Sequence, residues 1–422
     1  MSKLASGKSR VAVTGRGIVS ALGTGIDENW RRLLAGESGV KAITRFDPTG
    51  LKTRIAAAVD AYDARVPRSN VERAFLCARD VVQQALDEAD LRRAHRSGVP
   101  IFFGSPVAEG DWRQRIELYQ TAARSGSLAT LADLRRARQS LAATLENENS
   151  SSYNGARLAD EFGVDGQITT VTTACASGAS AIHLAVDAIR RGECERAIVV
   201  AADAAVSHES VSRFSLLSAL STANAEPAAA SRPFDAKRDG FVMGEGAACF
   251  VLESEQSARQ RGARIWGFVL GCGSATDNFH RTRSHPSGQY IVSCMRAALA
   301  DAGLGPSQID SINAHGTSTQ ENDKMESLGI NMLFAEHAKN IHVTSNKSMI
   351  GHTLCAAGAI EAVFSLQSIL DNVVPPTINW RERDASIDVN LVANTAREAR
   401  VGTVLSNSLG FGGQNATVIF GA

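Results

Sequence analysis

The feature that most constrains this sequence is a near-repeat of five residues. Cys175-Ala176-Ser177-Gly178-Ala179 returns as Cys355-Ala356-Ala357-Gly358-Ala359. Each copy follows a strand-like segment and a turn, and each opens a run of small and aliphatic residues that reads as a helix. Two βα units of one kind, one per half, suggest a duplicated α/β architecture. The 422-residue length leaves room for it, being too long for one small core. Five residues alone do not establish a duplication, so the rest of the chain has to be read beside them.

Val11–Thr14 reads as a buried strand ended by a tight turn at Gly15-Arg16-Gly17, with Asp27 as N-cap of the following helix. Val71, Phe75, Ala78, Val81, Val82 and Leu86 have helical spacing. Strands are predicted at 99–103, 167–173, 197–202, 247–252, 265–270, 311–314, 340–344, 401–406 and 417–420, and a helix at 179–189. Residues 106–150 differ: they are polar and Arg-rich, with Ile116, Leu118, Leu131, Leu134 and Leu141 allowing helices. Asp111, Glu117, Asp133 and Glu146 interleave with the basic residues there, which favours a solvated helical excursion over a nucleic-acid patch. The expected division is an N-terminal half, 1–260, carrying this excursion, and a C-terminal half, 261–422.

Charge excludes some classes. Lys plus Arg and Asp plus Glu both number 44, so nothing points to nucleic-acid or membrane-surface binding. The seven cysteines are odd in number and form no CxxC pair, which fits neither a disulfide framework nor a zinc site. The first residues lack the apolar core of a signal peptide, and no uninterrupted apolar run approaches the ~18–20 residues of a membrane helix. A cytoplasmic protein without a membrane span is expected.

Three segments carry chemistry. Thr172-Thr173-Ala174-Cys175 sets a cysteine between a strand and a helix, where the helix N-terminus favours a thiolate and lowers the thiol pKa. A buried, inert cysteine is an equally good reading of that segment by itself. Asn313-Ala314-His315-Gly316-Thr317-Ser318-Thr319 places a histidine just after a strand. Asn346-Lys347-Ser348-Met349-Ile350-Gly351-His352 places another just before a helix. Two Gly-flanked histidines and a cysteine in three such positions favour nucleophilic catalysis. No carboxylate or second histidine stands at ligand spacing, so no metal site is expected.

Together TTACASG, NAHGTST, NKSMIGH, RPFDAKRDGFVMGEGA and SNSLGFGGQNA resemble the elongating β-ketoacyl-[acyl carrier protein] synthases, in the family's order and separations. The likeness runs from about residue 10 to the end, except at 106–150. It implies a thiolase fold: two βαβαβαββ halves in a five-layered αβαβα stack. It implies Cys175 as the acyl-accepting nucleophile and His315 and His352 as donors to the oxygen that gains charge during malonyl decarboxylation. Lys347 and Glu361 would support the histidines. Thr317 and Thr319 would orient the malonyl group, and Phe214 and Gly412 would contact substrate. The N–H groups of Cys175 and Phe411 would form a second oxyanion hole, with Phe411 as gate of the acyl pocket. Asp323, Asn407 and Ser408 would organise the site or hold a structural monovalent cation, with no other cofactor. Asp235, Arg238, Asp239 and Glu245 read as a polar network shaping loops, and His280 beside Asp277 as structural. Cys355 falls where the family has a small residue and reads as packing.

The resemblance further implies acyl carrier protein as partner and a homodimer. An acidic carrier calls for a basic rim, for which Arg65, Arg68, Arg73 and Arg213 are candidates. The polar stretch 106–150 suggests a specialised pathway, such as unusually long acyl chains. A type II polyketide ketosynthase subunit would use the same chemistry. A non-catalytic chain-length partner would normally lack the cysteine, and a degradative thiolase would pair one histidine with a second cysteine.

Overall fold

Ten strands follow one path through a mixed sheet, and their order repeats. In this computed structural model residues 8–62, 69–106, 112–123, 130–140 and 150–422 are described. The strands are β1 (Val11–Ser20), β2 (Ile101–Gly104), β3 (Ile168–Val171), β4 (Arg196–Asp203), β5 (Gly246–Ser254), β6 (Gly267–Thr276), β7 (Ser311–Asn313), β8 (His342–Thr344), β9 (Thr403–Leu409) and β10 (Gln414–Gly421). Their order is β8-β7-β9-β10-β6-β1-β5-β4-β2-β3. Read inward from either edge, each half runs third, second, fourth, fifth, first. Orientations repeat as well. β2 is parallel to β3 and β4, and β5 is antiparallel to β4 and β1. β7 is parallel to β8 and β9, and β10 is antiparallel to β9 and β6. The halves join where Val11, Ala12 and Val13 of β1 pair with Val269, Phe268 and Gly267 of β6. The short echo at the two cysteines is thus part of a duplication of the whole topology.

Alternating burial explains the layers. Ala197, Val199 and Ala201 of β4 face one way, and Ile198, Val200 and Ala202 face the other. The first set packs on α3 (Ser177–Arg190) and α6 (Ala357–Asp371), which lie side by side between the two half-sheets. The second set packs on α1 (Asn70–Glu88) and α2 (Tyr153–Phe162). The outer face of the other half, through Ile312, Val343, Leu405 and Ile419, packs on α4 (Gln289–Ala302) and α5 (Gln320–Phe334). The result is the αβαβα stack of the thiolase fold. Leu354–Asp371 is long and apolar enough to cross a membrane by length and composition, with mean hydropathy 1.4, yet 83% of it is buried in this core.

Two local expectations need correction. No turn follows Thr14: β1 continues to Ser20, with a bulge between Val13 and Gly15. The glycines answer to α1 instead. A Cβ on Gly15 would lie 2.0 Å from the Ala85 carbonyl oxygen, and one on Gly17 would lie 2.1 Å from that of Val81. Asp27 is not the N-cap, which is Gly25; it lies in the first turn of the helix Ile26–Leu34. Within 106–150 the described residues form the helices Trp112–Ala122 and Leu131–Ser140. Leu131 is exposed, and Arg115 forms an ion pair with Glu209 of the main body. Asp111, Leu141 and Glu146 lie outside the described residues.

Candidate active site

The two central helices begin alike. Ala174 and Leu354 each adopt positive φ, 49° and 47°, an arrangement a side chain disfavours by about 1–2 kcal/mol. A 3₁₀ turn follows each, Ala174–Ala176 and Leu354–Ala356, and then α3 or α6. The sharp bend puts Cys175 and Cys355 at matching positions at the helix starts. The helices can sit this close because of their glycines. A Cβ on Gly178 would lie 2.7 Å from the Ala359 nitrogen, and one on Gly358 would lie 2.8 Å from the Ala179 nitrogen.

Around Cys175 the chain assembles both histidines and their supports. His352 Nε2 lies 3.1 Å from Cys175 Sγ, and His352 Nδ1 accepts the Leu354 N–H at 3.2 Å. An accepting Nδ1 puts the proton of the neutral ring on Nε2, facing the sulfur. His315 Nδ1 lies 3.4 Å from Lys347 Nζ, which can only donate, so His315 also carries its proton on Nε2. The two rings stand nearly perpendicular, with centroids 5.2 Å apart. Lys347 is fully buried and forms an ion pair with Glu361, itself fully buried. Cys175, His315 and His352 offer atoms within 4.8 Å of one another, so all three can act on one substrate group.

Electrostatics in this dry site follow from burial. Burial and the Lys347 cation hold both histidines well below the ordinary imidazole range; His352 adds to the effect on His315. Burial lifts the Glu361 carboxyl to about 7 against the pull of Lys347. The Cys175 thiol is pushed up to about 11 by burial. Lys347 and the N–H groups of Phe411 and of Cys175 itself draw it back only partly. The lowered pKa expected from the helix terminus is therefore not what the empty site has: desolvation outweighs the terminus. Those two N–H groups nonetheless converge on the Cys175 sulfur.

Two cavities meet at the sulfur. One of about 330 Å³ is walled by His315, His352, Thr317 and Thr319; the other, of about 390 Å³, by Phe103, Asn154, Asp203 and Cys355. Cys175, Phe214, Leu354 and Phe411 line both. The Thr317 and Thr319 hydroxyls are 2.9 Å apart, and Thr319 also caps α5 by accepting the Asn322 N–H. Phe214 packs edge-on to Phe241, which packs on His352. Gly412 departs from expectation: it lines neither cavity, and its N–H is committed to the Arg281 carbonyl at 2.7 Å.

Other residues also settle. Asp323 accepts the Phe234 N–H, with Arg238 3.6 Å away supplying the opposing charge. Asn407 donates to Glu326 and accepts from Thr417. Through these partners Asp323 and Asn407 organise the site, and the buried Oγ of Ser408, the next residue in β9, has no hydrogen-bond partner among the described residues. Asp235 accepts the N–H groups of Arg381 and Glu382, Asp239 accepts the Ser221 hydroxyl and the Thr222 N–H, and Glu245 pairs with Arg45. His280 lines the first cavity, as do Arg281 and Arg283, which sequence reading did not single out. Of the arginines proposed for a basic rim, Arg65 and Arg68 lie outside the described residues. Arg73 is buried and bonded to Ala204, and Arg213 pairs with Glu209. Glu326 was missed altogether. Fully buried on α5, it accepts the N–H groups of His315 and Gly316 at 2.8 and 2.9 Å and so fixes the histidine loop. Burial raises its carboxyl above the usual range.

Known proteins resemble this chain over nearly its whole length. Residues 8–258 match the β-ketoacyl synthase N-terminal domain and residues 266–381 its C-terminal domain. The chain is 37% identical to 3-oxoacyl-[acyl-carrier-protein] synthase 2 of Coxiella burnetii, over 98% of each chain. It is also 37% identical to a putative polyketide β-ketoacyl synthase of Streptomyces cyaneus, over 97% of each. It is similar in structure to a type II polyketide ketosynthase solved with its acyl-carrier protein and bound to a hexaketide: TM-score 0.86, 30% identity, covering 98% of this chain and 100% of that one. The chain belongs to the β-ketoacyl synthase family.

Proposed function

We propose that this protein is an elongating β-ketoacyl-[acyl carrier protein] synthase, an acyltransferase that joins a Cys175-bound acyl chain to malonyl carrier protein with loss of CO₂. The observation that carries this reading is the sulfur of Cys175 facing one Nε2–H donor, with a second histidine held in the same tautomer by Lys347.

The chemistry follows from those donors. The Cys175 sulfur attacks an acyl-carrier thioester, and the departing carrier thiol takes away the proton. Because the resting thiol is weakly acidic, the reaction relies on the N–H groups of Cys175, Phe411 and His352 to stabilise charge as it develops. In the second stage the malonyl carbon–carboxylate bond breaks, CO₂ leaves, and the electron pair passes into an enolate. Its oxygen is held by the Nε2–H groups of His315 and His352, and Thr317 and Thr319 orient the malonyl group. The enolate carbon attacks the acyl carbonyl, whose oxygen lies in the hole formed by the Cys175 and Phe411 N–H groups. The C–S bond then breaks, the β-ketoacyl product is released on its carrier, and the Cys175 sulfur leaves as a thiolate that takes a proton from water. Glu361 balances Lys347, which in turn keeps His315 a donor.

Fatty-acid synthesis in the cytoplasm is the setting we favour, with acyl carrier protein as partner and a second copy of the chain completing a homodimer. The half-buried edge strand β3, unpaired on its outer side among the described residues, supports the last point. Arg281 and Arg283 at the first cavity suit an acidic carrier's approach. Intact-mass measurement after incubation with a series of acyl-carrier proteins tests the assignment. The parent protein should gain one acyl group and Cys175→Ala none. No acylation of the parent across the series would overturn it in favour of a non-catalytic chain-length partner.

A further inference from the structure

The second cavity has a wall ill suited to a plain hydrocarbon chain. Asp203, at the end of β4, is 1% exposed and lines it. Its oxygens accept the N–H groups of Ala205 at 3.1 Å and Cys355 at 3.3 Å, and the Cys355 thiol also hydrogen-bonds to it. No Lys, Arg or His forms an ion pair with Asp203 among the described residues. Its charge is close enough to Cys175 to disfavour the thiolate. Asn154, on α2, lines the same cavity and is 6% exposed. Its amide nitrogen donates to the Val71 carbonyl at 2.9 Å, while its Oδ1 has no hydrogen-bond partner among the described residues.

A carboxylate accepts up to about four hydrogen bonds, and an amide oxygen two. Asp203 and the Asn154 Oδ1 therefore hold acceptor capacity that their own hydrogen bonds do not fill, on a wall whose other polar side chains include Arg213, Ser105 and Ser210. Methylene groups laid over these atoms would seal a carboxyl and an amide oxygen from water and return nothing. Burial lifts the Asp203 carboxyl to about 7, in keeping with a group that lacks a charged partner.

Building on the synthase reading above, we infer that the second cavity selects acyl chains bearing a hydroxyl group, which donates to Asp203 or Asn154, over unsubstituted chains of the same length. Asp203 and Asn154 are specificity-determining residues, distinct from the groups that carry out condensation. Cys355 serves this wall, its N–H and thiol holding the carboxyl in place.

The test compares loading of Cys175 from octanoyl-carrier protein and from hydroxyoctanoyl-carrier proteins with the hydroxyl moved along the chain, followed by intact mass. The parent should load at least one hydroxylated isomer about tenfold or more faster than octanoyl, because a site built around a substrate hydroxyl rejects the analogue lacking it. In Asp203→Ala or Asn154→Leu that ratio should collapse towards one, while Asp203→Asn, which keeps an acceptor, should retain part of it. Since the ratio is internal to each variant, a partly folded sample still reports it. A parent that loads octanoyl as fast as every hydroxylated isomer overturns the inference and leaves the synthase assignment standing. So do two variants that both keep the parent ratio. A parent that loads neither substrate overturns both.

Discussion

The two helix-opening turns make a natural pair for comparison. Cys175 and Cys355 follow residues with nearly equal positive φ, sit in equivalent 3₁₀ turns and begin helices that touch through equivalent glycines. Backbone geometry does not distinguish them. Their neighbours do. Cys175 faces His352, the Phe411 N–H and, further off, Lys347. Cys355 faces Asp203, whose charge pushes its thiol further up. A tight turn at a helix start therefore presents a side chain, and what converges on that side chain from other elements decides whether it reacts.

The largest effect should come from removing the donors that only one turn has. His315→Ala and His352→Ala should each lower malonyl-carrier decarboxylation about 10²–10³-fold, the usual cost of losing an oxyanion donor. Released CO₂ measures it, and a loss under tenfold would break the contrast. Since both imidazoles sit well below their ordinary pKa, they stay neutral as pH falls through 6.5. The parent's rate should show no inflection near that value.

An intermediate effect concerns the thiols. With Cys175 at about 11, its thiolate fraction at pH 7 is roughly 10⁻⁴ and rises about tenfold per pH unit. Iodoacetamide labelling of Cys175 should climb steeply between pH 7 and 10 while Cys355 stays unlabelled, as peptide mass mapping would read. A plateau below pH 8 would mean that the helix terminus outweighs burial after all. The smallest effect tests the similarity itself. Gly178→Ala and Gly358→Ala crowd reciprocal backbone contacts, so each should destabilise the fold by about 1–3 kcal/mol, measured by urea unfolding. A loss for one only would show that the helix contact is not reciprocal.

Much of this arrangement was legible in the sequence, for stated reasons. Cys175 and His315 follow strands and His352 precedes a helix, each beside glycines or small residues, a local pattern that a linear reading detects. Lys347 and Glu361 were found through their motifs. Glu326 was not, because it lies mid-helix, where an acid ordinarily faces water. Its one signal was its place among Met325, Ile330 and Phe334 on the buried side of α5. Gly15 and Gly17 misled because a Gly-x-Gly reads as a turn, whereas here the missing side chains admit a neighbouring helix. The acidity of Cys175 was misjudged for a similar reason. A helix terminus is visible in sequence, but the depth of burial that opposes it depends on contacts from both halves.

The wall shared by the two cavities bears on timing. Phe411 and Phe214 belong to both rooms, and the sulfur stands in the doorway. A ring that bounds two rooms cannot yield to an occupant of one without reshaping the other. Filling one room is thereby felt in the other. On the proposed reaction such a partition would work as a clock as much as a container, with CO₂ release in one room waiting for an acyl group in the other.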